Sequence, residues 1–328
     1  MKRKITVDFT DDWEGFKKED NIYIKILRER YEVEISEDPD YLFHFGFGWN
    51  FLKYDRSIRV FLTGECLLPD FNVSDYALAH AYLDYGDRYM RFPVYTHYGK
   101  DYGLAMKKHQ VSEEMLKGKT KFCNFVYSNP IADIRRQQFF ELLNSYKPVE
   151  SGGRFLNNIG GPVGDKLEFQ KLFKFSIAFE NSTYPGYVTE KILQAFAAST
   201  VPIYWGDPLI GTEFNEKSFI NCHAYKDFHE VIEVVKRIDA DDELFRSYIR
   251  EPIWKNSSDE QEQWEKRVRA FLFHIIDQPF EEAFRRNTVL WGRIYETRLM
   301  KLYKLQNNPT AFVLRGALRS ALRFVKPR

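Results

Sequence analysis

Short apolar segments alternate with helical segments along this 328-residue chain, and this alternation restricts the possible folds more than any other feature. Ile5, Val7 and Phe9 indicate a first strand, and residues 22–31 have the spacing of a helix. Further strands are predicted at 41–48, 58–62, 122–127, 173–179, 201–205 and 219–222, and further helices at 134–143, 187–198 and 231–238. Strands that alternate with helices are typical of parallel βαβ units. We therefore predict an α/β fold with parallel sheets.

A glycine-rich segment separates the two halves of this pattern. Five of the eighteen glycines lie within residues 151–165, a concentration that is typical of a linker or hinge. A surface loop inside one domain is the alternative. The hinge interpretation predicts an N-terminal domain over residues 1–150 and a second domain over residues 166–300. Two such halves would hold a ligand in the cleft between them.

The end of the chain has a different character. Residues 297–328 contain eight basic residues and no acidic residue. Arg315, Arg319 and Arg323 recur every four residues beside a face of leucines, which predicts a basic amphipathic helix within a tail over residues 301–328. Packing on its own domain, attachment to an anionic lipid surface and nucleic-acid binding remain as alternatives for this helix.

The amino-acid composition restricts the binding partners and the cellular compartment that we expect for this protein. Lys plus Arg number 48 and Asp plus Glu number 47, so the net charge of +1 argues against a broad polyanion-binding surface, and we expect no nucleic-acid partner. Cys66, Cys123 and Cys222 lie far apart without a CxxC pair, which indicates neither a zinc site nor a disulfide framework and favours a reducing compartment. No stretch reaches 18 apolar residues. We expect a cytoplasmic protein, with residues 309–328 as the part that would contact the inner face of a membrane.

The segment 173–192 contains the residues that indicate chemistry. A predicted buried strand ends at Glu180 and Asn181, and a helix that includes Glu190 and Lys191 follows after a Pro-Gly loop. Open α/β sheets bind ligands at the carboxyl ends of their strands, and a helix N-terminus attracts phosphate. Lys191 would add a full positive charge for a pyrophosphate, and Glu190 would accept hydrogen bonds from sugar hydroxyls. The pattern predicts a nucleotide or phosphate site; a solvated first helical turn is the alternative.

Several blocks of the chain resemble the signature of the α1,3-fucosyltransferases of glycosyltransferase family 10. The three most specific are Phe179-Glu-Asn, Gly186-Tyr-Val-Thr-Glu-Lys-Ile and Val201-Pro-Ile-Tyr-Trp-Gly-Asp-Pro. Three more, in the expected order, are Phe61-Leu-Thr-Gly-Glu, Asp87-Arg-Tyr-Met-Arg-Phe-Pro and Ser128-Asn-Pro-Ile-Ala-Asp-Ile-Arg. The resemblance covers residues 1–255 and is greatest to the bacterial members, which lack the Golgi membrane anchor.

The resemblance implies a GT-B fold, in which two Rossmann-like parallel-sheet domains face each other across a cleft. It also implies inverting transfer of L-fucose from GDP-fucose to a hydroxyl, expected to be O3 of GlcNAc in an N-acetyllactosamine-type acceptor. Neither a metal nor another cofactor is implied. Two alternatives remain: transfer of another GDP-sugar on the same scaffold, and a glycan-binding module without catalysis.

The resemblance also assigns roles to single residues. Glu65 matches the general base, and its place after a predicted strand and a Thr-Gly turn would suit removal of a proton from the acceptor hydroxyl. The donor-binding set comprises Arg135, Asn181, Tyr187, Glu190 and Lys191, with Glu180 as an additional candidate. Arg135 and Lys191 would stabilise the negative charge of the departing GDP. The alternatives are a surface carboxylate for Glu65, an ion pair at a helix start for Arg135 and core packing for Tyr187.

One motif suggests a metal site that other features contradict. Asp239-Ala-Asp241 has the DxD pattern of metal-dependent glycosyltransferases, but it follows a predicted helix rather than a strand. A helix cap followed by an acidic first turn explains it better. The seven histidines show no paired ligand spacing, so we predict no metal ligand.

Overall fold

The computed structural model describes residues 2–256 and 260–307. Its first sheet consists of β1 (Lys4–Thr10), β2 (Glu32–Ile35), β3 (Tyr41–His44), β4 (Ile58–Leu62), β5 (Tyr76–Ala79) and β6 (Tyr89–Arg91). These strands are hydrogen-bonded in the order β2-β1-β3-β4-β5-β6, and each pair is parallel. The predicted strands at the start of the chain are confirmed, whereas β2, β5 and β6 were missing from the prediction.

The second sheet is parallel throughout as well. It consists of β7 (Lys121–Phe125), β8 (Val149–Ser151), β9 (Phe173–Phe179), β10 (Val201–Trp205) and β11 (Ile220–Asn221). The order is β11-β10-β9-β7-β8, so β9 and β10 lie inside the sheet. Strands buried on both faces form continuous apolar segments, which is why β9 and β10 have the predicted bounds. The two sheets confirm the predicted α/β fold.

Eleven α-helices occur in the part of the chain that the structure describes. They are α1 (Ile22–Arg30), α2 (Gly99–Ala105), α3 (Glu113–Lys117), α4 (Arg135–Tyr146), α5 (Lys166–Lys171), α6 (Glu190–Ala197), α7 (Phe228–Ala240), α8 (Asp242–Arg250), α9 (Glu260–Asp277), α10 (Phe280–Ala283) and α11 (Trp291–Gln306). The DxD motif spans the last two residues of α7 and Asp241, whose side chain accepts a hydrogen bond from the Leu244 N–H and caps α8. Asp239 pairs with Lys147 at 2.8 Å. The predicted helix cap is confirmed.

The predicted domain boundary at residues 151–165 is wrong. Strands β7 and β8 precede this segment but belong to the second sheet, so the segment is a loop inside the second half. Gly153 packs against the backbone of Tyr127, where a Cβ atom would collide with the Tyr127 carbonyl oxygen. At this position glycine permits a close approach between two segments of one domain, and it does not form a hinge. The change from the first sheet to the second falls between β6 and β7.

The chain also returns to the first half after residue 260. Helix α9 buries Val268, Leu272 and Ile276 in the same hydrophobic core as Val7 and Val60 of the first sheet. The prediction that residues 260–300 belong to the second domain is therefore wrong. An apolar helix face can be read from a sequence, but the sheet that it covers cannot.

A buried ion pair holds this returning segment in place. Asp75 and Arg286 are both almost inaccessible to solvent, and the Arg286 guanidinium contacts the Asp75 carboxylate. The same carboxylate accepts hydrogen bonds from the backbone N–H groups of Arg285 at 2.7 Å, Arg286 at 2.8 Å and Arg59 at 2.7 Å. One carboxylate thus joins the segment after α10 to the start of β4.

The predicted tail lies mostly outside the described residues. Helix α11 ends at Gln306, and its residues Leu299, Met300 and Tyr303 pack against a small core around Phe51. The basic repeat beyond residue 308, and with it the contact of residues 309–328 with a membrane, stays a prediction. Among residues 2–256 and 260–307, no helix combines the length and apolar character needed to cross a membrane.

We expect Asp75→Ala to lower the free energy of unfolding by about 3–5 kcal/mol, because Arg286 would keep a buried positive charge without its carboxylate. Urea denaturation followed by circular dichroism measures the change. Asp87→Ala is the matched control: the half-exposed Asp87 carboxylate contacts His274 and Arg285, each at 3.0 Å, and we expect a loss of about 0–1 kcal/mol. Equal effects of the two substitutions would contradict this interpretation.

Candidate functional site

A cleft of about 800 Å³ lies between the two halves. The second half contributes residues from the end of β9 and the start of α6, and the first half contributes residues that follow β1, β3 and β4. Five predicted site residues line the cleft: Glu65, Asn181, Tyr187, Glu190 and Lys191. Both sheets therefore direct the carboxyl ends of central strands toward one cavity, as expected for α/β ligand sites.

Glu180 closes the loop between β9 and α6. Its carboxylate is completely buried and accepts hydrogen bonds from the Thr189 N–H at 2.8 Å and the Thr189 hydroxyl at 2.7 Å. The Lys191 ammonium donates a third hydrogen bond at 2.9 Å. Glu180 therefore satisfies an N–H group at the N-terminus of α6 and fixes the position of Lys191. These contacts make it a structural part of the site, while Lys191 itself lines the cleft.

Lys191 and Glu190 each stabilise the ionised form of the other. Burial alone would lower the pKa of Lys191, but the carboxylates of Glu180 and Glu190 outweigh burial and raise this pKa above its ordinary value. Burial would raise the pKa of Glu190, but Lys191 and Lys166 outweigh it and lower this pKa. The two side chains lie 3.8 Å apart. At neutral pH the cleft therefore contains a protonated amine beside an ionised carboxylate.

Gly186 brings the loop against the first half of the molecule. It adopts a φ of +89°, and a Cβ atom at this position would collide with the His80 carbonyl oxygen. The neighbouring Tyr187 is 1% exposed, and its ring centroid lies 5.0 Å from that of His80. Tyr187 thus combines the core packing considered as an alternative with a place in the wall of the cleft.

Arg135 does not join the other predicted residues in the cleft lining. Helix α4 begins at Arg135, whose half-exposed side chain lies 3.5 Å from Asp133, the ion pair at a helix start considered as an alternative. The next residue, Arg136, is 1% exposed and donates a hydrogen bond to Asn181 Oδ1 at 3.1 Å. Its Nε is buried without a hydrogen-bond partner among the described residues. No sequence signal singles out Arg136, because only the phase of α4 distinguishes the two adjacent arginines.

Glu65 occupies the opposite wall of the cleft. It follows β4, and the Thr63 hydroxyl accepts a hydrogen bond from its backbone N–H and donates one to its carbonyl oxygen, both at 3.0 Å. The side chain is half-buried. Within residues 2–256 and 260–307, no hydrogen bond or ion pair engages its carboxylate, which leaves it available to a ligand.

Direct contacts fix the two halves relative to each other. Arg91, at the end of β6, binds the carboxylate of Glu213 with both terminal nitrogens and donates to the His80 carbonyl oxygen at 2.9 Å. The Tyr95 hydroxyl donates to Glu213 at 3.3 Å, and its backbone N–H donates to the Val188 carbonyl oxygen at 3.3 Å. The sequence block that contains Arg91 therefore contributes to the cleft by holding its two walls together.

Possible metal ligands do not cluster in the described part of the chain. His, Cys, Asp and Glu side chains form no group of three or more there that could hold a metal ion. His80 is completely buried, and neither of its ring nitrogens has a hydrogen-bond partner among the described residues. Burial, followed by the charge of Arg91, lowers the pKa of His80 to about 4. The imidazole beside Tyr187 is therefore neutral at physiological pH.

Comparisons with known proteins agree on one family. Residues 7–98 match the family model described as the alpha-(1,3)-fucosyltransferase FucT N-terminal domain. Residues 116–277 match the one described as glycosyltransferase family 10 (fucosyltransferase), C-terminal. The chain is 38% identical over 247 residues to the alpha-(1,3)-fucosyltransferase FucT of Helicobacter pylori, covering 64% of this chain and 52% of that protein. The chain thus spans about half the length of this curated relative.

Solved structures extend the similarity over more of the chain. A crystal structure of α1,3-fucosyltransferase with GDP-fucose has a TM-score of 0.68 and 30% sequence identity, and the match covers 88% of this chain and 92% of that one. A crystal structure of α1,3-fucosyltransferase with GDP has a TM-score of 0.71 and 29% identity, with coverage of 84% and 91%. The similarity therefore extends over both halves of the chain.

We expect stability to fall as the pH decreases below about 6.5, because the unfolded chain protonates His80 at its ordinary pKa while the folded chain resists protonation down to about pH 4. Between pH 7 and pH 5 this residue should account for a loss of about 2 kcal/mol in the free energy of unfolding. Urea denaturation at both pH values should show a smaller loss for His80→Phe. The exposed His229 on α7 provides the control: His229→Phe should lose as much as the wild type. An unchanged loss in His80→Phe would contradict the prediction.

Proposed function

This chain belongs to glycosyltransferase family 10, and on that premise we propose that it transfers L-fucose from GDP-fucose to a hydroxyl of an oligosaccharide acceptor. The observation that carries the proposal is the position of Glu65 and Lys191 on opposite walls of one cleft. A carboxylate on one wall and a buried ammonium on the other are the two charges that glycosyl transfer from a nucleotide diphosphate sugar needs. Structures similar to this chain were solved with GDP and with GDP-fucose.

We propose that the second half binds the donor. The raised pKa of Lys191 keeps its ammonium charged, and the N-terminus of α6 lies beside it, so both would attract the diphosphate. The ionised Glu190 would accept hydrogen bonds from ribose or fucose hydroxyls. Tyr187 and Asn181 line the same wall and would contact the sugar and phosphate groups.

We propose that Glu65 acts as the general base of an inverting displacement. Its carboxylate would take the proton of the acceptor hydroxyl while the hydroxyl oxygen forms a bond to C1 of fucose. The bond between C1 and the β-phosphate oxygen breaks, and GDP leaves with the electron pair. Because attack and departure take place on opposite faces of C1, the anomeric configuration inverts. The acceptor atom that we propose is O3 of GlcNAc in an N-acetyllactosamine-type glycan.

Positive side chains would stabilise the charge that develops on GDP. Lys191 is one of them, because it lines the cleft. Arg136 lies behind the cleft wall: it is 1% exposed, and its terminal nitrogens donate to Asn181 Oδ1 and to the Asn129 carbonyl oxygen. We propose that Arg136 holds Asn181 in place and adds positive charge behind it. With Lys191 at the leaving group, we propose that the reaction requires no metal ion.

Glu65→Gln should reduce turnover of GDP-fucose and N-acetyllactosamine by about 10²–10⁴-fold, because the amide cannot accept the hydroxyl proton. GDP release and product mass, measured in EDTA, report the reaction. Binding of GDP should be unchanged, since Glu65 lies on the opposite wall. Lys191→Ala is the complementary variant and should lose GDP binding.

Three results would contradict parts of this proposal. Activity that disappears in EDTA and returns with a divalent cation would refute metal independence. GDP binding without fucose transfer would indicate that another GDP-sugar is the donor. If the protein binds the glycan but shows neither turnover nor GDP binding, it is a glycan-binding module and not a transferase.

The two arginines can be separated by parallel substitutions. Arg136→Lys should weaken GDP binding by about tenfold or more, because lysine keeps the charge but cannot make both hydrogen bonds, to Asn129 and to Asn181, that hold Asn181 in the cleft wall. Arg135→Lys is the matched control and should bind GDP like the wild type, as measured by isothermal titration calorimetry. If only Arg135→Lys loses GDP binding, Arg135 rather than Arg136 supports the binding of GDP.

A further inference from the structure

The wall that the first half contributes to the cleft is aromatic and partly open to solvent. Trp13 and Phe47 both line the cleft, with 49% and 55% of their surfaces exposed. Phe16 and Phe45 line it beside them. Large flat apolar side chains that remain open inside a concave surface are typical of ligand sites.

The Trp13 ring is held in a defined orientation. Its centroid lies 5.0 Å from that of Phe16 with an interplanar angle of 73°, and 5.2 Å from that of Phe45 with an angle of 75°. The Phe16 and Phe45 rings contact each other at 5.2 Å. Near-perpendicular aromatic contacts are favourable, so this cluster orients the indole while half of its surface stays available.

The loop that carries Phe47 is fixed by one buried carboxylate. Asp11 accepts hydrogen bonds from the Asn50 backbone N–H at 2.8 Å and from the Phe51 N–H at 2.9 Å, and its carbonyl oxygen accepts one from the Phe47 N–H at 3.3 Å. A Cβ atom on Gly48 would collide with this carboxylate. Asp11 itself has a φ of +59°, a left-handed conformation that aspartate adopts more readily than most residues. These contacts fix the loop and with it the position of Phe47.

Together these observations match the chemistry of a sugar ring. A pyranose presents C–H groups on one face and hydroxyls around its rim, so it suits a flat aromatic surface beside hydrogen-bonding carboxylates. Glu65 lines the same cleft. We propose that Trp13 and Phe47 form an aromatic platform that stacks against the apolar face of a pyranose ring of the acceptor and directs its hydroxyl toward Glu65. This inference rests on the proposed function.

The base of the donor is the other flat group in the reaction. The cation that would hold its diphosphate, Lys191, belongs to the second half, whereas the aromatic platform belongs to the first. This division favours the acceptor as the molecule that stacks on Trp13 and Phe47.

The test compares the Michaelis constants of the two substrates. Trp13→Ala and Phe47→Ala should each raise the KM for N-acetyllactosamine by about tenfold, the size expected when a stacked aromatic surface is removed. The KM for GDP-fucose and the slow release of GDP without acceptor should stay unchanged. Trp13→Phe and Phe47→Tyr should retain most of the acceptor affinity. Trp291→Ala is the control, because this residue of α11 is 77% exposed and does not line the cleft.

Several outcomes would overturn the inference. An unchanged KM for the acceptor in Phe47→Ala, or an increased KM for GDP-fucose in either variant, would show that the platform does not bind the acceptor. If the wild type consumes no GDP-fucose, the proposed function fails separately. Saturation-transfer NMR of N-acetyllactosamine then decides the inference. A transfer signal that disappears in both alanine variants supports the platform, and a signal that persists in them refutes it.

Discussion

The buried carboxylate of Glu180 is the interaction on which the candidate site depends. A carboxylate without solvent is stable only where donors surround it, and Thr189 and Lys191 provide three hydrogen bonds. Since β9 ends next to Glu180 and α6 begins next to Thr189, these bonds join the end of a central strand to the start of a helix. They also hold the Lys191 ammonium at the cleft. One buried charge therefore determines both the shape of the loop and the position of the Lys191 ammonium.

The same loop explains why the cleft lies between the halves. Gly186 approaches the His80 carbonyl oxygen, to which Arg91 donates while it also binds Glu213. Donor-side charges are thus fixed relative to the strands that carry Glu65. The proposed transfer requires such a relation, because the proposed base, Glu65, and the proposed leaving-group cation, Lys191, follow strands of different sheets.

The sequence predicted the interior of the fold better than its connections. Strands β9 and β10 were predicted with their observed bounds because both faces are buried and the apolar segments end abruptly. Strands β6 and β8 have only three residues each, too few for a periodic pattern. Helix α6 was predicted from Tyr187 but begins at Glu190, after Thr189, whose N–H and hydroxyl both donate to Glu180. The boundary at residues 151–165 failed because glycines that permit close packing resemble those of a linker.

Five of the predicted site residues line one cleft because a strand end followed by a helix start has a strong sequence pattern. The residues that this pattern did not single out have a common cause. Arg136 rather than Arg135 reaches Asn181, and Asp11 fixes the loop that carries Phe47. In both cases the deciding contact joins segments that lie far apart in the sequence, so no local pattern contains it. Asn181 and Phe47 both line the cleft, one from each half. Contacts that no local pattern contains therefore hold side chains on both walls of one cleft, which is an argument for the site that is independent of any sequence motif.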